Sequence, residues 1–214
     1  DDLGRTVEEV SPDRGTTRSE YHTTNRVLTK VKEGVGSSVE ETTSFTFDAL
    51  GRMTAKEVGG STCSRTPAIV GPDTAFYYDA VPAGETCPIS GGCTNPKDRL
   101  VLATFEVKCN GASPDLGKTW HAYDKIGRNT AEHRVALGRT DVLTYAYDKN
   151  SNSTTVTLPS TYAIANSYGG GSGDNSDADD LTKLSLSSTD WLTSVVWHPS
   201  GPTKSWTQAN KKSS

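Results

Sequence analysis

The chain has 214 residues, 33% of them hydrophobic, with a mean hydropathy of −0.56 and a formal net charge of −4. Such a length permits one domain or two small ones, but the apolar share falls short of a conventional globular core and leaves either disorder or a thin, repetitive β-structure. The acid excess, with no basic cluster beyond Lys211 and Lys212, gives no electrostatic reason to bind nucleic acid, and no apolar run approaches the roughly 20 residues that span a bilayer.

Disorder is disfavoured because Tyr, Trp, Phe and Val fall in alternating runs instead of being scattered. In chain order the first feature is Asp1-Asp2-Leu3-Gly4-Arg5. No Met or signal pattern precedes it, so the chain reads as a mature product or a fragment cut inside a repeat. Next comes Tyr21-His22-Thr23-Thr24-Asn25-Arg26, with His22 in the acid slot and Asn25 in the glycine slot, followed by the β-rich run Val27 to Val31. Phe45 and Phe47 alternate into Asp48-Ala49-Leu50-Gly51-Arg52.

The stretch from 48 to 124 reads as an insertion. Phe76-Tyr77-Tyr78-Asp79 looks like a strand end and Asp98-Arg99-Leu100-Val101 like its return, separated by an enlarged Gly/Pro/Cys loop. All four cysteines, Cys63, Cys87, Cys93 and Cys109, lie in this region, which suits two disulfides in an exported protein and leaves three connectivities open. Zinc would need paired short spacings, and only Cys87 and Cys93 are close, with no His between Cys63 and Cys109.

Tyr123-Asp124-Lys125-Ile126-Gly127-Arg128 then restores the pattern. Ala131 to Leu137 is the one stretch where a helix is worth weighing, but Gly127 and Gly138 bound it too closely. Leu143, Tyr145 and Tyr147 recur at every second residue and lead into Asp148-Lys149-Asn150-Ser151-Asn152, which keeps the aromatic and the acid and replaces Gly by Ser and Arg by Asn. Thr154 to Leu158 is β-rich, Tyr168 to Asp180 reads as a flexible acidic loop, and Val195 to Trp197 ends in Trp197-His198-Pro199-Ser200-Gly201-Pro202.

The D-x-x-G-R spacing has a physical reason. Asp in the first position of a type I turn accepts bonds from main-chain N–H groups two or three residues on, and Gly in the fourth tolerates the left-handed backbone that completes the reversal. Asn is the next best residue there, whereas Ser151 and the His slots weaken the argument. The arginine that starts the returning strand has two readings, a bond to the turn or neighbouring hairpin, or a solvated edge charge.

These strings resemble the tyrosine-aspartate (YD, or Rhs) repeat family, with its Y-D-x-x-G-R core, and Tyr123 to Asn152 carries the likeness best. The resemblance implies an all-β fold in which antiparallel hairpins wind into a spiralling, solenoid-like sheet, as in Rhs polymorphic toxins, cocoon components of Tc toxins and teneurins. It implies a non-enzymatic shell wall of a secreted or cell-surface protein, enclosing an effector that is not recognisable here. The structural turn residues would be Asp1, Gly4, Arg5, His22, Asn25, Arg26, Asp48, Gly51, Arg52, Asp124, Gly127, Arg128 and Asp148.

The organisation expected is YD repeats over 1–58, a repeat with the Cys-containing insertion over 59–119, repeats over 120–167, the Gly/Asp loop over 168–180 and a divergent repeat over 181–214. Too few repeats are present to close a shell. Open sheet edges therefore raise a second expectation, self-association into an extracellular filament. A third is glycan binding or adhesion through Trp120, Trp191, Trp197 and Trp206, although alternation equally places them in a packed face.

Catalysis, cofactor and metal are not expected. His22, His121, His133 and His198 are dispersed, the aspartates have turn roles, and Gly169 to Gly173 lacks the Lys-Ser/Thr of a phosphate loop. Asp174, Asp177, Asp179 and Asp180 lack the ordered alternation of a calcium loop. Asn152-Ser153-Thr154 is a formal glycosylation sequon.

Overall fold

A computed structural model describes residues 1–22, 27–33, 39–59, 73–110, 112–169 and 179–208. Asn25, Arg26, Cys63, Asp174 and Asp177 lie outside these residues, and for Cys109 only the backbone is described. Every described element of regular structure is a β-strand.

The strands are short and rich in Thr, Val and aromatics. β1 (Glu8–Ser11), β2 (Gly15–Tyr21), β3 (Val27–Glu33), β4 (Val39–Phe47) and β5 (Met53–Gly59) precede the insertion. β6 (Thr74–Tyr78) and β7 (Leu100–Asn110) flank the cysteine loop, and β8 (Ala112–Tyr123), β9 (Asn129–Ala136), β10 (Arg139–Tyr147) and β11 (Ser153–Thr157) follow. β12 (Ala163–Tyr168), β13 (Leu181–Leu186), β14 (Thr189–Trp197) and β15 (Thr203–Gln208) complete the order. Each strand pairs with the one before and the one after it in the sequence, in one 15-stranded antiparallel sheet. This is the all-β array of hairpins expected from the alternating runs.

Because direction reverses at every step, connections from even to odd strands share one end and those from odd to even share the other. The D-x-x-G-R strings at 48–52 and 124–128, and the variants at 148–152 and 198–202, all fall in the first class. The second class uses other chemistry. Between β9 and β10, Leu137 (φ 52°) and Gly138 (φ 71°) both take left-handed backbone, the two-residue reversal whose twist matches that of the strands.

The register slips once beside most turns of the first class. Tyr21, Phe47, Tyr78, Tyr147, Tyr168 and Trp197 each sit at a slip, opposite the first residue of the returning strand. Phe47 faces Met53 while Thr46 faces Ala55, so Thr54 is the extra residue. A bulge of this kind bends the strand and increases its twist, and it sets the aromatic at a fixed place relative to the turn.

Two compact units can be distinguished. The first comprises Asp1–Thr86, Pro96–Thr119 and Val135–Gly138; the second comprises Cys87–Asn95, Trp120–Arg134 and Arg139–Ser214. Among the described residues, Ala75, Val101 and Leu102 are the buried apolar ones of the first, and Ile89, Trp120, Ala122, Ala131 and Val195 those of the second. So thin a core places much of the stabilising load on main-chain pairing and on the turns.

Candidate functional site, an interlocked ladder of turns

Each acid of the repeat engages its own turn through main chain and side chain. Asp48 N–H donates to Arg52 O at 2.9 Å and Asp48 O accepts from Gly51 N–H at 2.9 Å. Its Oδ1 accepts from Arg52 N–H at 2.8 Å and its Oδ2 from Arg52 Nε at 2.6 Å. Asp124 repeats the set, with Oδ1 accepting from Ile126 N–H at 3.0 Å and Arg128 N–H at 2.9 Å, and Oδ2 from Arg128 Nε at 2.6 Å. Asp1 does the same with Leu3, Arg5 and the Arg5 guanidinium. The carboxylate thus serves N–H groups two and four residues on, while the third goes to the main-chain carbonyl. Gly4, Gly51 and Gly127 sit at φ 73°, 83° and 96°, where a side chain is strained.

Loss of water in the turn opposes ionisation of Asp48 and Asp124. The arginine and the N–H groups facing them outweigh it and hold both carboxyls below the ordinary range. For Asp148 burial is likewise opposed, chiefly by the main-chain and side-chain N–H groups of Asn152 and then by Asn150 N–H.

The arginines link one turn to the next. Arg5 stands 4.7 Å from the ring centroid of Tyr21, Arg52 4.4 Å from that of Tyr78 and Arg128 4.6 Å from that of Tyr147. In each case the ring belongs to the following turn of the same class. Beyond the ring the guanidinium bonds that turn: Arg5 donates to His22 O at 3.2 Å, and Arg128 to Asp148 O at 2.9 Å and Ser151 Oγ at 3.2 Å. Arg52 forms a two-pronged pair with the Asp79 carboxylate at 3.1 and 2.6 Å. That pair, with Asp98 N–H second, holds the Asp79 carboxyl low, and Asp79 and Asp48 together push the Arg52 guanidinium up. Of the two readings of these arginines, the geometry has them bonded both to their own turn and to the neighbouring one.

The aromatic answers in the opposite direction. Tyr21 Oη donates to Thr6 O at 2.8 Å, Tyr78 Oη to Met53 O at 2.9 Å and Tyr147 Oη to Asn129 O at 2.9 Å. Tyr168 Oη donates to Ser153 O at 3.0 Å and Trp197 Nε1 to Leu181 O at 3.0 Å. For the first four, the acceptor is the residue directly after the arginine slot of the preceding turn. For Trp197 it is Leu181, the first residue of β13.

Departures from the motif keep part of this geometry. Ser151 takes φ 73° in the glycine slot, and its N–H still reaches Asp148 O at 3.3 Å. Asn152 in the arginine slot bonds Asp148 Oδ2 at 3.1 Å and Asp179 Oδ1 at 2.9 Å. The main-chain frame survives at His198, whose N–H donates to Pro202 O and whose O accepts from Gly201 N–H, both at 2.9 Å.

Two features were not legible as part of the ladder. Leu158-Pro159-Ser160-Thr161-Tyr162 adopts the same frame at the opposite end of the sheet, Leu158 N–H to Tyr162 O at 2.8 Å and Thr161 N–H to Leu158 O at 2.9 Å. Pro in the second position of a type I turn was the available signal. In the cysteine loop Thr94 Oγ1 and Asn95 Nδ2 each donate to Tyr123 O at 2.8 Å, and Tyr123 N–H donates to Thr94 O at 3.1 Å. The loop thus stands in for the turn that would precede Tyr123. Cys87 and Cys93 are joined in a disulfide across it.

Trp120 is buried and Trp197 is committed to Leu181 O, whereas Trp191 and Trp206 are 49% and 60% exposed. Among the described residues no group of three or more His, Cys, Asp or Glu side chains could hold a metal ion, and no helix is long and apolar enough to cross a membrane.

No protein-family model matches the chain, and no curated protein matches it. Solved structures do. The crystal structure of TcdB2-TccC3 superposes with a TM-score of 0.66 at 11% identity, over 96% of this chain and 10% of that one. The Photorhabdus luminescens Tc holotoxin pore, in a form carrying a TccC3 mutation, gives 0.65 at 12% identity, over 97% and 10%. The likeness is one of fold. It matches the all-β hairpin array at that level, and the chain spans about a tenth of the length of the chains it follows.

Proposed function

We propose that this chain is a non-catalytic wall segment of a YD/Rhs-repeat protein, exported or displayed at a cell surface, whose work is to enclose or present another part of a larger assembly. The observation that carries this reading is the two-way link between successive turns: guanidinium forward onto the next ring, and ring hydroxyl back onto the carbonyl that follows the arginine. Such a link adds nothing to ligand capture and much to holding hairpins in a fixed stack. The likeness in fold to Tc-toxin structures supports the same reading. Both carboxylate oxygens of Asp1, Asp48 and Asp124 are engaged by their own turns, which supports a structural use for these acids over an acid–base one. The Cys87–Cys93 disulfide supports an oxidising location. An enclosed effector and the remaining repeats of the wall are the partners implied.

Electron microscopy of the parent polypeptide that contains this stretch tests the proposal. A hollow particle that opens when residues 120–152 are deleted is expected; a compact particle with no enclosed volume refutes it. A second reading rests on β1 and β15, which stand at the two ends of the strand order with β15 exposed along its whole length. Open edges favour filament growth, and a monodisperse monomer in sedimentation speaks against that. Exposed Trp191 and Trp206 leave glycan binding as a third use, which a glycan array decides.

A further inference from the structure

The ladder contact recurs at Thr6, Met53, Asn129, Ser153 and Leu181, each main-chain carbonyl taking a hydrogen bond from the next aromatic. Thr203 holds the corresponding position after the 198–202 turn, as the first residue of β15 and the register partner of Trp197. No described strand lies on the outer side of β15. Beside Thr203 the sheet carries a cleft of about 270 Å³ lined by Leu181, Leu192, Val195, Trp197, Thr203 and Trp206. Two of these residues, Leu181 and Trp197, are the members of the preceding rung, so the cleft continues the row of seated aromatics. Trp206 forms one wall and is 60% exposed.

We propose that this cleft is a docking seat for an extended peptide strand that ends in tyrosine or tryptophan. The strand pairs with the edge of β15, places its ring beside Trp197 and Trp206 and donates its polar hydrogen to the Thr203 carbonyl. The chemistry discriminates among occupants. Five of the six lining side chains are apolar, so a sugar, which needs several hydrogen-bond partners, fits poorly, whereas an aromatic side chain with one polar tip fits. Edge pairing supplies the main-chain bonds, and the pocket reads the side chain. Pro202 occupies the arginine slot, so the guanidinium that clamps Tyr21, Tyr78 and Tyr147 is replaced by the apolar walls.

This inference rests on the wall reading, and the test separates the two. The probe is a synthetic peptide with the sequence of Arg139–Asp148, which contains the Tyr147 that already makes this bond to Asn129 O and contains no Trp. Titrated into the full chain, it is expected to change the tryptophan emission saturably. The affinity should fall at least about 10-fold with a Tyr147→Ala peptide, less with Tyr147→Phe, and also with the Trp206→Ala chain. Equal binding by the Tyr147→Ala peptide, or none by the parent peptide, overturns the seat. So does self-association that buries Trp206 without peptide, or saturable quenching by a sugar. A negative titration on a chain with an intact β spectrum removes the seat alone; a chain without that spectrum removes the wall reading.

Discussion

Asn152 stands where Arg5, Arg52 and Arg128 stand in their turns, and what it retains separates the two jobs of the arginine. It keeps the bonds to Asp148, from its main-chain N–H at 2.9 Å and from Nδ2 at 3.1 Å, and it has no guanidinium to lay on Tyr168. Tyr168 still donates to Ser153 O at 3.0 Å. Closing the turn and clamping the next ring are therefore independent. Asn152→Arg should add the clamp and raise stability by about 0.5–1 kcal/mol, the usual worth of a guanidinium over an accessible ring, read as a rise in thermal midpoint. The Tyr147→Phe substitution takes away the opposite half, one hydroxyl bond to Asn129 O, and should lower stability by about 1 kcal/mol while the ring stays under Arg128. If both variants leave the midpoint unchanged, the links between turns carry no load. Much of this site was legible in the sequence: the acids, the glycines and the aromatics were all visible as a spacing. What spacing does not carry is direction, because a forward reach of about twenty residues depends on which strand ends lie side by side, and that is fixed by the bulged register.

At the level of the hairpin, β4–β5, β10–β11 and β14–β15 were readable because alternation and a turn signal coincide in them. β12 was not, since Ala163–Tyr168 carries only Ile164 and Tyr168 as strong strand formers, and its entry turn at Leu158–Tyr162 lacks acid, glycine and arginine. The carbonyl-to-N–H frame of that turn is made by the main chain, so side chains report it weakly. The insertion was legible as a strand end and a return, but its use as a substitute turn was not, because Thr94 and Asn95 have no fixed offset from Tyr123. The six-residue Cys87–Cys93 spacing closes the part of the loop just before them. Closing so short a loop contributes about 2 kcal/mol by chain entropy, and it acts locally. Reduction, or Cys87→Ser with Cys93→Ser, should therefore leave the overall β spectrum in place and release Thr94 and Asn95 from Tyr123 O. Hydrogen exchange at Tyr123 N–H, which donates to Thr94 O, should quicken while that at Gly127, inside its own turn, stays slow. Global unfolding on reduction would show the disulfide to be holding the sheet instead of the loop.

Across the molecule the ladder makes stability a function of pH, and the sign follows from which form the fold prefers. The carboxyls of Asp48, Asp79, Asp124 and Asp148 all titrate below their ordinary range, as does that of Asp190 in β14, outside the ladder, which Lys183 and Ser185 hold low. The folded chain therefore binds fewer of these protons than the unfolded one, for which the carboxyls titrate near about 3.9. Their contribution is fully present above that pH and is lost as pH falls through the folded values. His121 acts higher. Burial pushes its imidazole down, with the Glu132 charge only partly opposing, so the fold prefers neutral histidine. That preference is fully present above the unfolded value of about 6.5 and declines as pH falls below it. The expected profile of thermal midpoint against pH is level near neutrality, with a shallow decline beginning near about pH 6.5 and a steep one below about pH 4. His121→Asn should remove the shallow decline and leave the steep one. Asp124→Asn should reduce the steep one, because Arg128 then faces an uncharged partner. A midpoint that rises on acidification through pH 4 would mean that the turns hold their acids protonated, which is incompatible with arginine as their partner and with a wall built on that pairing.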